Sequence, residues 1–296
     1  MNLQYLKSFY VTVNLNSISK AAKQLHLTQP GLSMQLQALE KELDSNLLTR
    51  SNKGVELTEA GKILFDYADT ILSIQDNIQR DLNNFKTAKK EMFLGSCKSI
   101  GEYALPCSIY VFKHEHPEIN INFNIYNTEE VIKNLSEKSI NLGIVQEIEE
   151  VEGINIEPIA ENPLMLVSSL PMIEKEISRE EFRKLPIIIR EKGSGTRKAV
   201  EKALVSLELE LGDLNIMYEM NSMEGIKSSV MAGKGLAFIP ELTIKRELYD
   251  KSLKEVKVKD LNISSTYAIA FRKGQTLSPY ESQFKKFLKS SKRGFC

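Results

Sequence analysis

Apolar positions recur along this chain at two different periods, and the change between them divides it. In the first fourteen residues Leu3, Leu6, Phe9, Tyr10 and Val13 share one helical face. Ser17 is placed to cap a second helix carrying Ala21, Ala22 and Leu25, whose small alanines let a neighbour cross closely. Thr28 caps a third, with Pro30 in the first turn, where a missing N–H breaks no helical bond. Leu32, Leu36, Leu39 and Leu43 then line one face of it, leaving Gln29, Ser33, Gln35 and Gln37 opposite. Leu47-Leu48 and residues 55–57 flank a basic turn, Arg50-Ser51-Asn52-Lys53-Gly54, which reads as a two-stranded wing. Over residues 58–89, Leu64, Tyr67, Ile71, Ile74, Ile78, Leu82 and Phe85 keep the three-and-four spacing of a coiled-coil seam. A helix of ~45 Å with one such seam predicts a second copy to cover it.

Beyond residue 91 short apolar runs alternate with amphipathic helices, the pattern of an α/β fold with a largely parallel sheet. Strands are expected at 92–95, 119–125, 142–145, 164–167, 186–190, 216–219, 236–239 and 266–271. Helices are expected at 100–114, 129–137, 222–232 and 279–288, with a short one capped by Ser178 and Glu181 and another following Gly193-Ser194-Gly195-Thr196 to about Leu207. The predicted organisation is a winged helix–turn–helix over 1–57, a linker and dimerisation helix over 58–90, and a two-lobed domain over 91–296. Lobe I takes 91–161 and 267–296; lobe II takes 162–266.

Composition changes this picture only locally. Lysine plus arginine equal aspartate plus glutamate at 39 each, so no global basic charge announces nucleic acid. Residues 1–57 do carry six basic against four acidic side chains, an excess of two. Cys97, Cys107 and Cys296 form no C-x-x-C pair and no disulfide framework. The N-terminus lacks the features of a signal peptide, and no apolar run approaches a membrane span, which points to a cytoplasmic protein. His114 and His116 lack the spacing of helical metal ligands and read as solvated or capping residues. No nucleophile elbow, phosphate loop or paired-carboxylate motif is present, so no catalytic residue, metal or cofactor is expected.

The candidate chemistry lies in three places. Amides and hydroxyls on the early turns of the third helix suit base edges and phosphates in a major groove. Two strand-to-helix turns, residues 95–101 and 191–197, place Ser99, Ser194 and Thr196 hydroxyls with Lys98 and Arg197 where an open α/β sheet collects ligands. Together they describe an anion site between lobes. Asn127-Thr128, Gln146 and Ser222 are further candidates there. Cys97 admits two readings: a redox-active thiol at a helix N-terminus, or a small side chain lining a pocket, the second being preferred.

From Phe9 to Gly61 the chain resembles the DNA-binding domain of LysR-type transcriptional regulators. The matching pieces are SISKAA at 17–22, QLHLTQPGLS at 24–33, LEKEL at 39–43, Leu47-Leu48-Thr49-Arg50 and LTEAGK at 57–62. It departs at Asp44, where the family usually has glycine, at Leu48, where phenylalanine is usual, and at Met34, where a basic residue is common. The later lobes resemble the family's effector domain, which is similar to periplasmic binding proteins. IGEYALP, NTEEV and REKGSGTR point to the branch that includes activators of sulfur assimilation and carbon fixation. The resemblance implies DNA contacts by Ser19, Lys20, Thr28, Gln29, Pro30, Ser33, Gln35, Arg50 and Lys53. It implies a small, anionic effector held by Ser96, Cys97, Lys98, Ser99, Gly101, Thr128, Gln146, Gly193, Ser194, Gly195, Thr196 and Ser222. Double-stranded operator DNA, a homodimer, a homotetramer and RNA polymerase are the implied partners. The competing classes are a solute receptor without a DNA role and an enzyme on the same two-lobed fold.

Overall fold

The computed structural model describes residues 2–51, 54–87, 90–171 and 173–295. The chain forms two compact units, Met1–Thr87 and Ala88–Cys296.

In the first unit, helices α1 (Leu3–Leu15), α2 (Ile18–Gln24) and α3 (Gln29–Glu42) precede strands β1 (Leu48–Ser51) and β2 (Gly54–Leu57) and helix α4 (Glu59–Thr87). The expected caps are in place: Ser17 accepts from Lys20 N–H and Thr28 from Gly31 N–H. Leu6, Phe9, Ala21, Ala22, Leu32, Leu36, Leu39 and Leu47 form the core. Leu43, assigned to that stripe by spacing, ends the helix as its C-cap and is 37% exposed. Glu40 closes the following turn by accepting from the Leu47 and Leu48 amides. Asp44 has φ +48°, the left-handed region that glycine enters freely, which accounts for the glycine usual there. β1 and β2 pair antiparallel. Asn16 anchors the wing by accepting from Val55 N–H at 2.7 Å. Gly61 is buried so tightly that a Cβ would stand 2.1 Å from the Leu47 carbonyl oxygen. Leu64 and Phe65, both partly buried, pack on this bundle.

The second unit runs β3 (Glu91–Cys97), α5 (Lys98–Tyr103), α6 (Leu105–Glu115), β4 (Asn120–Tyr126), α7 (Thr128–Ser136), β5 (Leu142–Gln146) and β6 (Ile154–Ser168). It continues through β7 (Glu176–Ile177), α8 (Arg179–Lys184), β8 (Ile187–Arg190), α9 (Gly195–Leu204), β9 (Ile216–Met220) and α10 (Met223–Met231). β10 (Ala237–Pro240), α11 (Lys245–Tyr249), β11 (Lys254–Glu255), β12 (Lys257–Val258), β13 (Ile263–Arg272) and α12 (Pro279–Lys289) complete it. The main sheet has the order β10-β6-β13-β5-β3-β4. β3 is parallel to β4 and β5, but β13 runs antiparallel to both β5 and β6, so the sheet is mixed rather than largely parallel.

β13 pairs along its whole length with residues 154–164 of β6, and the two strands pass from one hydrophobic core to another. Ile159, Ala160, Tyr267, Ile269 and Phe271 pack with Met92 and Leu94. Leu164, Leu166 and Ile263 pack with Phe182, Ile187 and Leu204. The helix expected over 100–114 breaks at Ala104, whose φ of −123° is not helical. Pro106 lacks an N–H for the Glu102 carbonyl, so a new helix begins with the proline in its first turn. Among the described residues, no helix is long and apolar enough to cross a membrane.

Candidate functional site: a DNA-reading helix and an interlobe cleft

On the first unit, Ser19, Lys20, Thr28, Gln29 and Pro30 are exposed around the turn that joins α2 to α3. The Ser19 hydroxyl donates to the Gln29 carboxamide oxygen at 3.2 Å, which orients that side chain across the turn. Ser33 is partly exposed on the next turn. Met34 beside it is 69% exposed and is an apolar candidate that a search for polar groups passes over. Gln35 is different. Its carboxamide oxygen accepts from the buried Ser8 hydroxyl of α1, so Gln35 joins two helices instead of facing outward. Arg50 belongs to β1, whereas Lys53 lies outside the described residues.

On the second unit the two strand-to-helix turns do meet, and they meet on Gln146. This residue ends β5 and is buried. Its side-chain oxygen accepts from the Ser99 hydroxyl at 2.7 Å and from the Thr196 hydroxyl at 3.2 Å. Its side-chain nitrogen donates to Ser265 on β13, which in turn donates to the Asn162 carbonyl on β6. Thr128, the first residue of α7, exchanges hydrogen bonds with the Gln146 backbone. A polar chain thus runs from the paired strands β6 and β13 to the two turns.

Charge lies beside it. Lys98 donates to the Asn221 carbonyl at 2.6 Å and pairs with Glu191 at 3.4 Å. Arg190, 3% exposed at the end of β8, holds Glu191 through two bonds of 2.7 and 3.0 Å. Burial works against the Glu191 carboxylate, but Arg190 and Lys98 outweigh it and keep its pKa below the usual range. Burial pushes the Cys97 thiol up to about 11, against the lowering influence of Ser99 and Arg190. Burial thus disfavours a thiolate at Cys97, which is a free, buried side chain lining the cleft.

The turns are drawn together tightly. Glu129 N–H donates to the Gly193 carbonyl, and Tyr103 OH bonds Glu224. Between Lys98, Ser99, Asn127, Gln146 and Ser194 no room remains for even a water molecule. A wider pocket of about 480 Å³ opens beside them, walled by Thr128, Ile132, Ile148, Val151, Gly193 and Arg197.

Not every expected residue reaches the cleft. The Ser96 hydroxyl donates to the Cys97 carbonyl, and Gly101 packs on Ser96 and Ile125, away from it. Ser222 caps α10 by accepting from Gly225 N–H. Arg197 does wall the wider pocket, but its guanidinium is paired with Glu201 and Glu219, both at 2.8 Å. Arg190 and Tyr267 are the additions. A charged residue ending the otherwise apolar strand Ile187–Arg190 was the available signal for the first.

A winged helix–turn–helix on one unit and a polar cleft between α/β lobes on the other define a DNA-binding regulator with a small-molecule domain. Family models agree: residues 3–62 match the bacterial regulatory helix–turn–helix protein, lysR family, and residues 87–293 match the LysR substrate binding domain. The chain belongs to the LysR family of transcriptional regulators. A probable RuBisCO transcriptional regulator of Trieres chinensis is 31% identical over 90% of this chain and 89% of its own length. One of the same description from Synechocystis is 28% identical over 95% and 84%. Among solved structures, CbnR, a LysR family transcriptional regulator, superposes with a TM-score of 0.73 at 20% identity, covering 98% of both chains. The regulatory domain of Synechocystis CcmR in complex with 2-PG gives 0.61 at 23% identity, covering 68% of this chain and 96% of its own.

Proposed function

We propose that this protein is a cytoplasmic, dimeric regulator of carbon-fixation genes, switched by a small anion bound between its lobes. The observation that carries the reading is the convergence of Ser99 and Thr196, from two different turns, on one buried Gln146, with Lys98 and Arg190 alongside. Hydroxyls that now donate to Gln146 can rotate to donate to an anion, while the cations supply attraction in a site of low dielectric. The RuBisCO-regulator relatives and the 2-PG complex of CcmR support the same ligand class and target genes. Operator contacts fall to Ser19, Lys20, Thr28, Gln29, Pro30 and Ser33, with Met34 against a thymine methyl and the wing at Arg50 and Lys53 on the backbone. RNA polymerase is a further partner, and two dimers joining as a tetramer the larger assembly.

Calorimetry with 2-PG tests the ligand half. Ser99→Ala and Thr196→Val should each weaken binding by ~1.5–3 kcal/mol, about one to two decades in affinity. Wild-type affinity in both would place the ligand outside this cleft. The DNA half is tested by titrating operator and random duplexes. Gln29→Ala or Ser33→Ala should cost ~1–3 kcal/mol at the cognate site and little elsewhere. Equal losses on both duplexes would reduce these residues to backbone positioning.

A further inference from the structure

We propose that Glu191 is a built-in occupant of the anion site, displaced from Lys98 and Arg190 when a phosphate or similar dianionic group binds, with the Tyr267 hydroxyl joining as a new donor. This rests on the anionic-effector reading above and says how that anion is received.

The Arg190 guanidinium is almost wholly buried, and the Glu191 carboxylate is its ion-pair partner among the described residues. An unpaired buried cation is strongly unfavourable, so this charge needs an anion at all times. The same carboxylate also reaches Lys98. One monoanion is therefore shared between two cations, with Glu102 sensing both from an exposed position. A dianion satisfies the pair more fully than Glu191 does.

Glu191 is also able to leave. It lies just beyond the end of β8, and Gly193, at φ +82°, turns the chain immediately after it. Its side chain can swing to water without disturbing the strand that fixes Arg190. Departure of a carboxylate makes room where the closed cleft otherwise has none. Arg190 passes from one oxyanion to another and is never left bare.

Tyr267 supplies an independent observation. It is 1% exposed, and among the described residues its hydroxyl meets no group at good hydrogen-bond geometry, although the Ser99 hydroxyl lies beside it. It stands directly opposite Gln146 across the β13–β5 pairing; burial raises its pKa most, and Cys97, Ser99 and Arg190, all lining the cleft, also act on it. A buried donor left unmade is unfavourable, and proteins keep few of them. An oxyanion beside Ser99 and Arg190 gives this one an acceptor.

Calorimetry of the full-length protein with inorganic phosphate at pH 8, repeated with 2-PG, decides the matter. Glu191→Gln keeps shape and removes the competing charge. It should bind both probes about tenfold tighter than wild type. Tyr267→Phe should bind them about tenfold more weakly while melting no lower, because it deletes an unsatisfied group. Should Glu191→Gln melt early, Glu191→Ala gives the same comparison. Unchanged or weaker binding in the Glu191 variants overturns the displacement idea and leaves the anion reading standing. Unchanged binding in Tyr267→Phe overturns the role of the hydroxyl. Failure of both probes on every form, wild type included, overturns the anion reading and this inference with it.

Discussion

Replacing both Ile78 and Leu82 with aspartate is expected to leave a folded monomer that no longer holds its operator. The two side chains are 55% and 54% exposed on α4, and Tyr67 on the same helix is 66% exposed. Leu64 and Phe65, nearer the start of α4, pack into the bundle of their own unit. The helix thus divides along its length: its beginning is bound to its own core, and its later apolar positions are left open within that unit. Charge placed there harms nothing that holds the single chain together. Across a paired seam, each carboxylate would be buried against apolar partners at a cost of several kcal/mol. Sedimentation should find monomers with an unchanged circular dichroism spectrum. Operator affinity should fall by about two decades or more, because two linked half-site contacts become independent ones. A double variant that stays dimeric would move the subunit contact off this helix.

The first unit was legible because its signals are local. Ser17 and Thr28 cap the helices they precede, and leucines at helical spacing can serve only a few packings. Gln35 shows where that logic stops. Periodicity assigns it to the outer face, yet one hydroxyl, Ser8 on α1, turns it inward. In the second unit the Ser178 cap was legible for the same reason. The strand Ile154–Ser168 was not: only 164–167 stood out, since Pro158 and Pro163 discourage a strand. Pro158 is tolerated opposite Ala268, where the register with β13 shifts. Most of the cleft was readable as two strand-to-helix turns, and Gln146 was a candidate from its place at a strand end. Its position as the point where both turns meet was not readable, because tertiary contacts make it so. Tyr267 arrives from a strand that pairs across the sheet, and no neighbour in sequence announces it. Ser96 and Gly101 failed for the converse reason: they lie in the right turn, but their surfaces face the packed side of it.

Gly195→Ala is expected to abolish closure of the cleft, and it tests whether closure matters. Gly195 opens α9, and its Cα lies against the end of β5. A Cβ there would stand 2.1 Å from the Gln146 carbonyl oxygen and 2.7 Å from the carbonyl carbon. Both are backbone atoms of packed elements, so no rotamer change relieves the clash. The turn after β8 must back away from β5, and with it go the Thr196 bond to Gln146 and the Glu129 bond to Gly193. Each lobe keeps its own core, since the methyl points into the space between them. Overpacking of this kind costs ~1–3 kcal/mol, which here falls on the closed form alone. A ligand that needs both turns must then supply that energy, so phosphate or 2-PG affinity should drop by about one to two decades. Operator binding without ligand should be unchanged. Calorimetry with either probe reads the first expectation and a DNA titration the second. Wild-type ligand affinity in Gly195→Ala would mean that the anion is bound by one turn alone, with the other free to stand apart.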